Sequence, residues 1–160
     1  MKKYSKVDIV FVDMDNTIAE NRTCQNVRYY KGLYEEKRPI KVVIKAIEAL
    51  YMSTGIPVVI ISKAVGGRKG AEEKLRWVEK NLRLRKGSEC IFLTEKEPSI
   101  KKARIIREYC NKHKIKLSNT LIIDDNKKTL QACEKIGIQA KYPQQVICDY
   151  EAMSYNFHII

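Results

Sequence analysis

The feature that most constrains this 160-residue chain is a repeated alternation: a short β-branched run closing on a polar residue, then a stretch with helical spacing. Val7–Val12 (VDIVFV) closes on Asp13, Pro57–Ile61 (PVVII) on Ser62, and Thr120–Ile123 (TLII) on Asp124 and Asp125. Cys90–Leu93 (CIFL) and Ile138–Ala140 read as two further strands. Between them, Val42–Tyr51, Ala71–Leu82, about Ser99–Lys114 and Thr129–Ile136 read as helices, with Ser99 as an N-cap and Gly137 as a C-cap. Runs apolar on both faces, such as VVII, belong in a parallel sheet covered on both sides, and strand–helix alternation builds that sheet. The expected fold class is therefore α/β. On Ala71–Leu82 the expected apolar face is Leu75, Val78 and Leu82, with Trp77 beside it as a core residue. Residues 18–39 are irregular, with three tyrosines and mixed charge; they are too few for a full cap domain and are expected to form a flap or reduced cap. Residues 143–160 show no clear period and read as a C-terminal extension of one domain spanning 1–160.

Composition narrows the function classes. The length fits one domain. No apolar run approaches the roughly 18 residues that read as a membrane span, so no membrane partner is expected. The opening MKKYSKVDIVFVD is broken by Asp8 and runs into Asp13 and Asp15, unlike a cleaved signal. Five cysteines (Cys24, Cys90, Cys110, Cys133, Cys148) without C-x-x-C spacing point to a reducing, cytoplasmic setting, not to a disulfide framework or a zinc site. The formal net charge of +12 draws polyanions such as nucleic acid, nucleotides or acidic headgroups, or serves solubility alone. Gly66-Gly67 with Gly70 lacks Walker spacing and reads as a turn into a helix. His113 and His158 have no evident partner.

In open parallel sheets, ligands bind beyond the carboxyl ends of the strands, where Asp13, Asp15, Ser62, Asp124 and Asp125 cluster. Four carboxylates gathered there repel one another, and a divalent cation resolves the repulsion. All-oxygen ligands favour Mg²⁺ over zinc. The stretch Asp13-Met14-Asp15-Asn16-Thr17 resembles the first motif, D-x-D-x-T, of the haloacid dehalogenase (HAD) superfamily of phosphatases. Ser62 after the second strand, a lysine on the helix before the fourth, and Asp124-Asp125 after the fourth follow in that family's order, over roughly residues 7–142. The resemblance implies a HAD-like Rossmannoid three-layer sandwich with a parallel central sheet and a minimal cap or none. It implies Asp13 as a nucleophile forming an aspartyl-phosphate, and Asp15 as the acid that protonates the leaving oxygen and then activates water. It further implies Mg²⁺ held by the Asp13 carboxylate, the Asp15 backbone carbonyl and Asp125, with Asp124 supporting it directly or through water. Ser62 and a lysine would bind the phosphate. Lys102 is the preferred lysine, with Lys101 and Lys96 as alternatives. Asn16 departs from the glycine commonest in that motif, but Asn tolerates unusual backbone angles.

Two branches of the family look similar. The 5′(3′)-deoxyribonucleotidase type shares D-M-D, an E-E-K-x-x-W-V-E-K-like helix, here Glu72–Lys80, and an L-T segment, here Leu93-Thr94. This chain departs from it in an extra helix near 99–114 and in having no room for that type's helical cap. The 3′-phosphatase domain of polynucleotide kinase-phosphatases shares Trp77-Val78-Glu79, Lys102, Ile123-Asp124-Asp125 and Ile136-Gly137-Ile138. The expectation is a Mg²⁺-dependent phosphomonoesterase, first a 5′(3′)-nucleotidase and second a polynucleotide 3′-phosphatase acting on DNA or RNA ends. A non-catalytic nucleic-acid-binding module on the same fold is the alternative from another class.

Overall fold

The computed structural model describes residues 4–21, 28–84, 89–94, 96–98 and 100–156; Cys24, Ser99 and His158 lie outside the described residues. The elements are β1 (Ile9–Val12), α1 (Lys41–Thr54), β2 (Val58–Ala64), α2 (Gly67–Asn81), β3 (Cys90–Thr94), α3 (Lys101–His113), β4 (Thr120–Ile123), α4 (Lys127–Glu134), β5 (Gln139–Lys141) and α5 (Pro143–Asn156). The strands form one parallel sheet in the order β3-β2-β1-β4-β5, with Phe11 level with Val59 on one side and Ile122 on the other. Successive strand residues face opposite ways. Val10, Val12, Ile60, Leu121 and Ile123 pack beneath α1, α2 and α5, whereas Ile9, Phe11, Val59, Ile61 and Ile122 pack beneath α3 and α4. All residues of β1 and β4 are buried. Each such side chain contributes about 1.5–3 kcal/mol on removal from water, which is why apolar runs of this kind take the centre of the sheet.

Local sequence sets where the helices begin and end. Gly55 closes α1 at φ 69°, its N–H donating to the Tyr51 carbonyl. The Asn126 side chain caps α4 by accepting from the Thr129 N–H. Gly66 and Gly67 carry the turn into α2 at positive φ, and a Cβ on Gly70 would stand 1.9 Å from the Val65 carbonyl oxygen. These glycines make a tight turn, as their spacing implies.

Three expectations need correction. The buried stripe of α2 is Gly70, Glu73, Lys74, Trp77 and Val78, while Leu75 is 38% exposed. The bulk of Trp77 sets the face, and its indole N–H donates to the Lys37 carbonyl at 2.9 Å. Strand β2 runs on to Ala64, so Ser62 sits within it, not beyond it. Residues 143–156 form helix α5, which packs on α1 and completes that side of the core instead of extending from it. Val146 is buried there, with Ile147 and Tyr150 packed against the same cluster. The Tyr4 hydroxyl donates to Asp149 at 2.6 Å and Lys141 pairs with the same carboxylate, tying this helix to the first residues and to β5.

Of the irregular segment, Ile18, Ala19, Leu33 and Tyr34 are buried, and Ala19 bridges to Asp15 and Pro39. The buried Glu73 of α2 accepts from the Tyr29 hydroxyl at 2.8 Å, the Gly32 N–H at 2.9 Å and the Tyr34 N–H at 3.3 Å. Residues 28–37 are thereby laid along α2. Among the described residues, no helix is long and apolar enough to cross a membrane.

Candidate active site

Because β1 lies between β2 and β4, the carboxyl ends of these three strands are neighbours. Asp13 and Asp15 follow β1, Ser62 lies near the end of β2, and Asp124 and Asp125 follow β4. Together with Lys102, Asn16, Lys63 and Asn126 they line a cleft of about 190 Å³. Backbone bonds hold the two acidic turns: the Asp13 N–H donates to the Ile123 carbonyl at 2.9 Å, and the Asp124 N–H to the Lys141 carbonyl at 3.2 Å. One carboxylate oxygen from each of Asp13, Asp124 and Asp125 lies within 4.8 Å of the other two. Lys102, in the first turn of α3, is buried and places Nζ 2.6 Å from Asp13 Oδ1 and 2.7 Å from Asp124 Oδ2. The Asn126 N–H donates to Asp124 Oδ1 at 2.8 Å.

The electrostatics follow from crowding. Burial, and then the charge of Asp13, push the Asp124 carboxyl up to about 6 despite the nearby lysine. Burial and Asp13 likewise raise Asp125. Burial works against the Lys102 ammonium, but Asp13 and Asp124 outweigh it and hold the group above its ordinary range. Three carboxylates against one ammonium leave excess negative charge among oxygen donors only. That donor set fits a hard divalent cation such as Mg²⁺.

The Asp15 carboxylate is not part of this trio. It pairs with Lys37 and with Nζ of Lys74. Burial alone would raise Asp15, but Lys74 and Lys37 outweigh it and hold the carboxyl below its usual range. Lys74 has no exposed side-chain surface, lies 2.8 Å from Ser62 Oγ, and stands over the Tyr34 ring at 4.7 Å from its centroid. Burial pushes this ammonium down, against the pull of Asp15 and Asp13.

Of the three lysines weighed from sequence, the structure brings only Lys102 to the cleft. Lys101, one position earlier and so about 100° around the helix, pairs with Glu97 instead. Lys96 is exposed outside the cleft lining. His113 is exposed and stacks on Tyr109 with ring centroids 4.2 Å apart, without reaching the site.

No protein-family model matches the sequence, and no curated protein matches it. Solved structures do match. A 3-deoxy-D-manno-octulosonate 8-phosphate phosphatase from Moraxella catarrhalis, in complex with magnesium ion, phosphate ion and KDO, superposes with a TM-score of 0.58 at 15% identity, covering 98% of this chain and 96% of that one. A Mesorhizobium loti protein described as a HAD-like phosphatase gives a TM-score of 0.58 at 18% identity, covering 91% and 85%. The fold is HAD-like. The N-terminal part of a Bacteroides fragilis protein, containing a phosphatase domain complexed with Mg, also has a TM-score of 0.58, at 19% identity over 84% of this chain. This HAD-like chain spans only 35% of that one.

Within the HAD-like frame, sequence reasoning missed Lys74 and Lys37. The signal for Lys74 was its spacing: it stands three positions before Trp77 and four before Val78, on the stripe those residues bury. Lys37 lies in the irregular segment, where no period marks an inward-facing position.

Proposed function

We propose that this chain is a Mg²⁺-dependent phosphomonoesterase working through an aspartyl-phosphate on Asp13. The observation that carries the reading is the meeting of Asp13, Asp124 and Asp125 at one edge of the sheet, with buried Lys102 bridging the first two. Mg²⁺ bound by these carboxylates would neutralise charge on the phosphoryl oxygens. A carboxylate oxygen of Asp13 attacks phosphorus as the bond to the leaving oxygen breaks, and Asp15 gives that oxygen a proton. Water then attacks the phosphoenzyme, Asp15 takes its proton, and the Asp13–phosphorus bond breaks. Lys37 and Lys74 keep Asp15 ionised at rest; the arriving phosphate dianion raises its proton affinity, and Asp15 takes up from that dianion's acid form or from solvent the proton it gives to the leaving oxygen. Ser62 and Lys102 hold phosphoryl oxygens.

The substrate class we infer is a nucleotide or a nucleic-acid end, with a 5′(3′)-nucleotidase first. The Glu72–Lys80 helix and the net charge of +12 support it. A polynucleotide 3′-phosphatase is the second reading, supported by the Trp77-Val78-Glu79 helix, Lys102 before the Asp124-Asp125 pair, and the basic net charge of +12. The four described cysteines, Cys90, Cys110, Cys133 and Cys148, are unbridged, in keeping with a cytoplasmic setting. The test is phosphate release by wild type and Asp13→Asn, with Mg²⁺, from deoxynucleoside monophosphates, 3′-phosphorylated oligonucleotides and sugar phosphates such as the Moraxella enzyme's KDO 8-phosphate. The expected loss in Asp13→Asn is on the order of a thousandfold or more. Equal rates would remove Asp13 as the nucleophile. Release from sugar phosphates alone would move the substrate class, and salt-sensitive nucleic-acid binding without turnover would support the non-catalytic module.

A further inference from the structure

Lys74 is a buried cation of the site whose only task in the phosphatase reading is its charge beside Asp15; its bond to Ser62 is not used there. An ammonium has three N–H donors and no acceptor. All three directions are accounted for: Asp15 Oδ2, Ser62 Oγ at 2.8 Å, and the face of Tyr34. With no exposed surface, Lys74 has no donor left for a ligand. Lys102 differs, since its two bonds to Asp13 and Asp124 leave a third proton.

The consequence falls on Ser62. Since Lys74 can only donate, Ser62 Oγ is the acceptor in their bond, and the serine's own proton must point elsewhere. Among the described residues that proton has no acceptor. Ser62 is fully buried at the floor of the cleft, beside Asp13 and Lys102. A buried hydroxyl hydrogen without a protein partner is costly to leave unpaired, and an anion above it relieves that cost.

We propose that Lys74 is a positioning residue that fixes the Ser62 hydroxyl as a hydrogen-bond donor to an oxygen of the bound phosphoryl group. The inference rests on the phosphatase reading and adds to it a residue that never touches substrate. Tyr34 and Glu73 support the arrangement. Tyr34 closes the third side of the ammonium, its hydroxyl accepts from the Val65 N–H at 2.8 Å, and Glu73 binds the Tyr34 N–H. The serine's orientation thus depends on α2 and on the irregular segment together.

The experiment is a double-mutant cycle on Lys74→Met and Ser62→Ala, read as the inhibition constant of inorganic phosphate, with Mg²⁺ affinity and thermal midpoint measured alongside. Losing one charge-assisted hydrogen bond weakens phosphate binding about tenfold or more. If Lys74 acts through Ser62, each single variant shows that loss, and the double variant is no worse than Ser62→Ala. Losses that multiply in the double variant overturn the inference and leave the phosphatase reading standing. A wild type that binds no phosphate overturns both. A structure of the unaltered protein with phosphate bound gives a second reading that does not depend on any variant folding. Ser62 Oγ within about 3.0 Å of a phosphoryl oxygen, with Lys74 still held by Ser62 and Asp15, supports the inference. Lys74 Nζ in direct contact with the anion overturns it.

Discussion

Replacing Lys102 with Met removes the cation that separates two buried carboxylates. Asp13 and Asp124 then face each other across no more than 4.8 Å. At an effective dielectric near 20, two like unit charges at that distance repel by about 3.5 kcal/mol. Breaking one side of a buried ion pair costs a similar roughly 3–5 kcal/mol in other proteins. The Asp124 carboxyl is already pushed up to about 6 with Lys102 beside it; removing that ammonium raises it further, so protonation of Asp124 relieves part of the repulsion and the penalty grows with pH. The assay is urea unfolding at pH 8, in EDTA and in saturating Mg²⁺. In EDTA the Lys102→Met variant should lose up to about 3 kcal/mol relative to wild type. Mg²⁺ should restore most of that, because a divalent charge replaces the missing ammonium, and should stabilise wild type less. Coincident unfolding curves for the two proteins in EDTA would refute the claim that Lys102 neutralises this pair.

Metal-free protein should show the Asp124 signature directly. Its carboxyl binds a proton more tightly folded than unfolded, so its contribution is greatest below the ordinary carboxylate range and is lost as pH rises through about 6. Between pH 4.5 and 7.5, wild type should lose stability relative to Asp124→Asn, and saturating Mg²⁺ should reverse the trend; a relative gain over that window without metal would refute it. Gly70→Ala must drive a methyl group to 1.9 Å from the Val65 carbonyl oxygen and should cost about 3 kcal/mol in a denaturation curve. Gly137→Ala meets nothing within 4 Å and strains only a φ of 88°, so about 1 kcal/mol is expected. Equal costs for the two would show that α2 can shift freely.

The strand ends of this chain are legible because burial on both faces forces apolar runs, and a polar residue that interrupts such a run marks the rim. That reasoning places Asp13, Asp124 and Asp125 without any knowledge of contacts. Choosing among Lys96, Lys101 and Lys102 needed helix phase: Lys102 shares its stripe with Ala103, Ile106 and Cys110, whereas Lys101 does not. Lys74 was masked by its type, since a lysine on a charged helix reads as solvated and Leu75 beside it looks the better core residue. Helix α5 was masked because its inward positions Val146, Ile147 and Tyr150 are interleaved with polar residues and Cys148. Its docking is settled by α1 and by the Tyr4–Asp149–Lys141 cluster, contacts that no local window contains.

The placement of β1 between β2 and β4 also governs when this protein can first do anything. Asp13 is synthesised well before its backbone partner Ile123 and its companions Asp124 and Asp125. At cellular translation speeds the interval is on the order of ten seconds. Through that time Asp13 stands without the other two carboxylates of its cluster, so the proposed reaction can begin only when the sheet closes on β4.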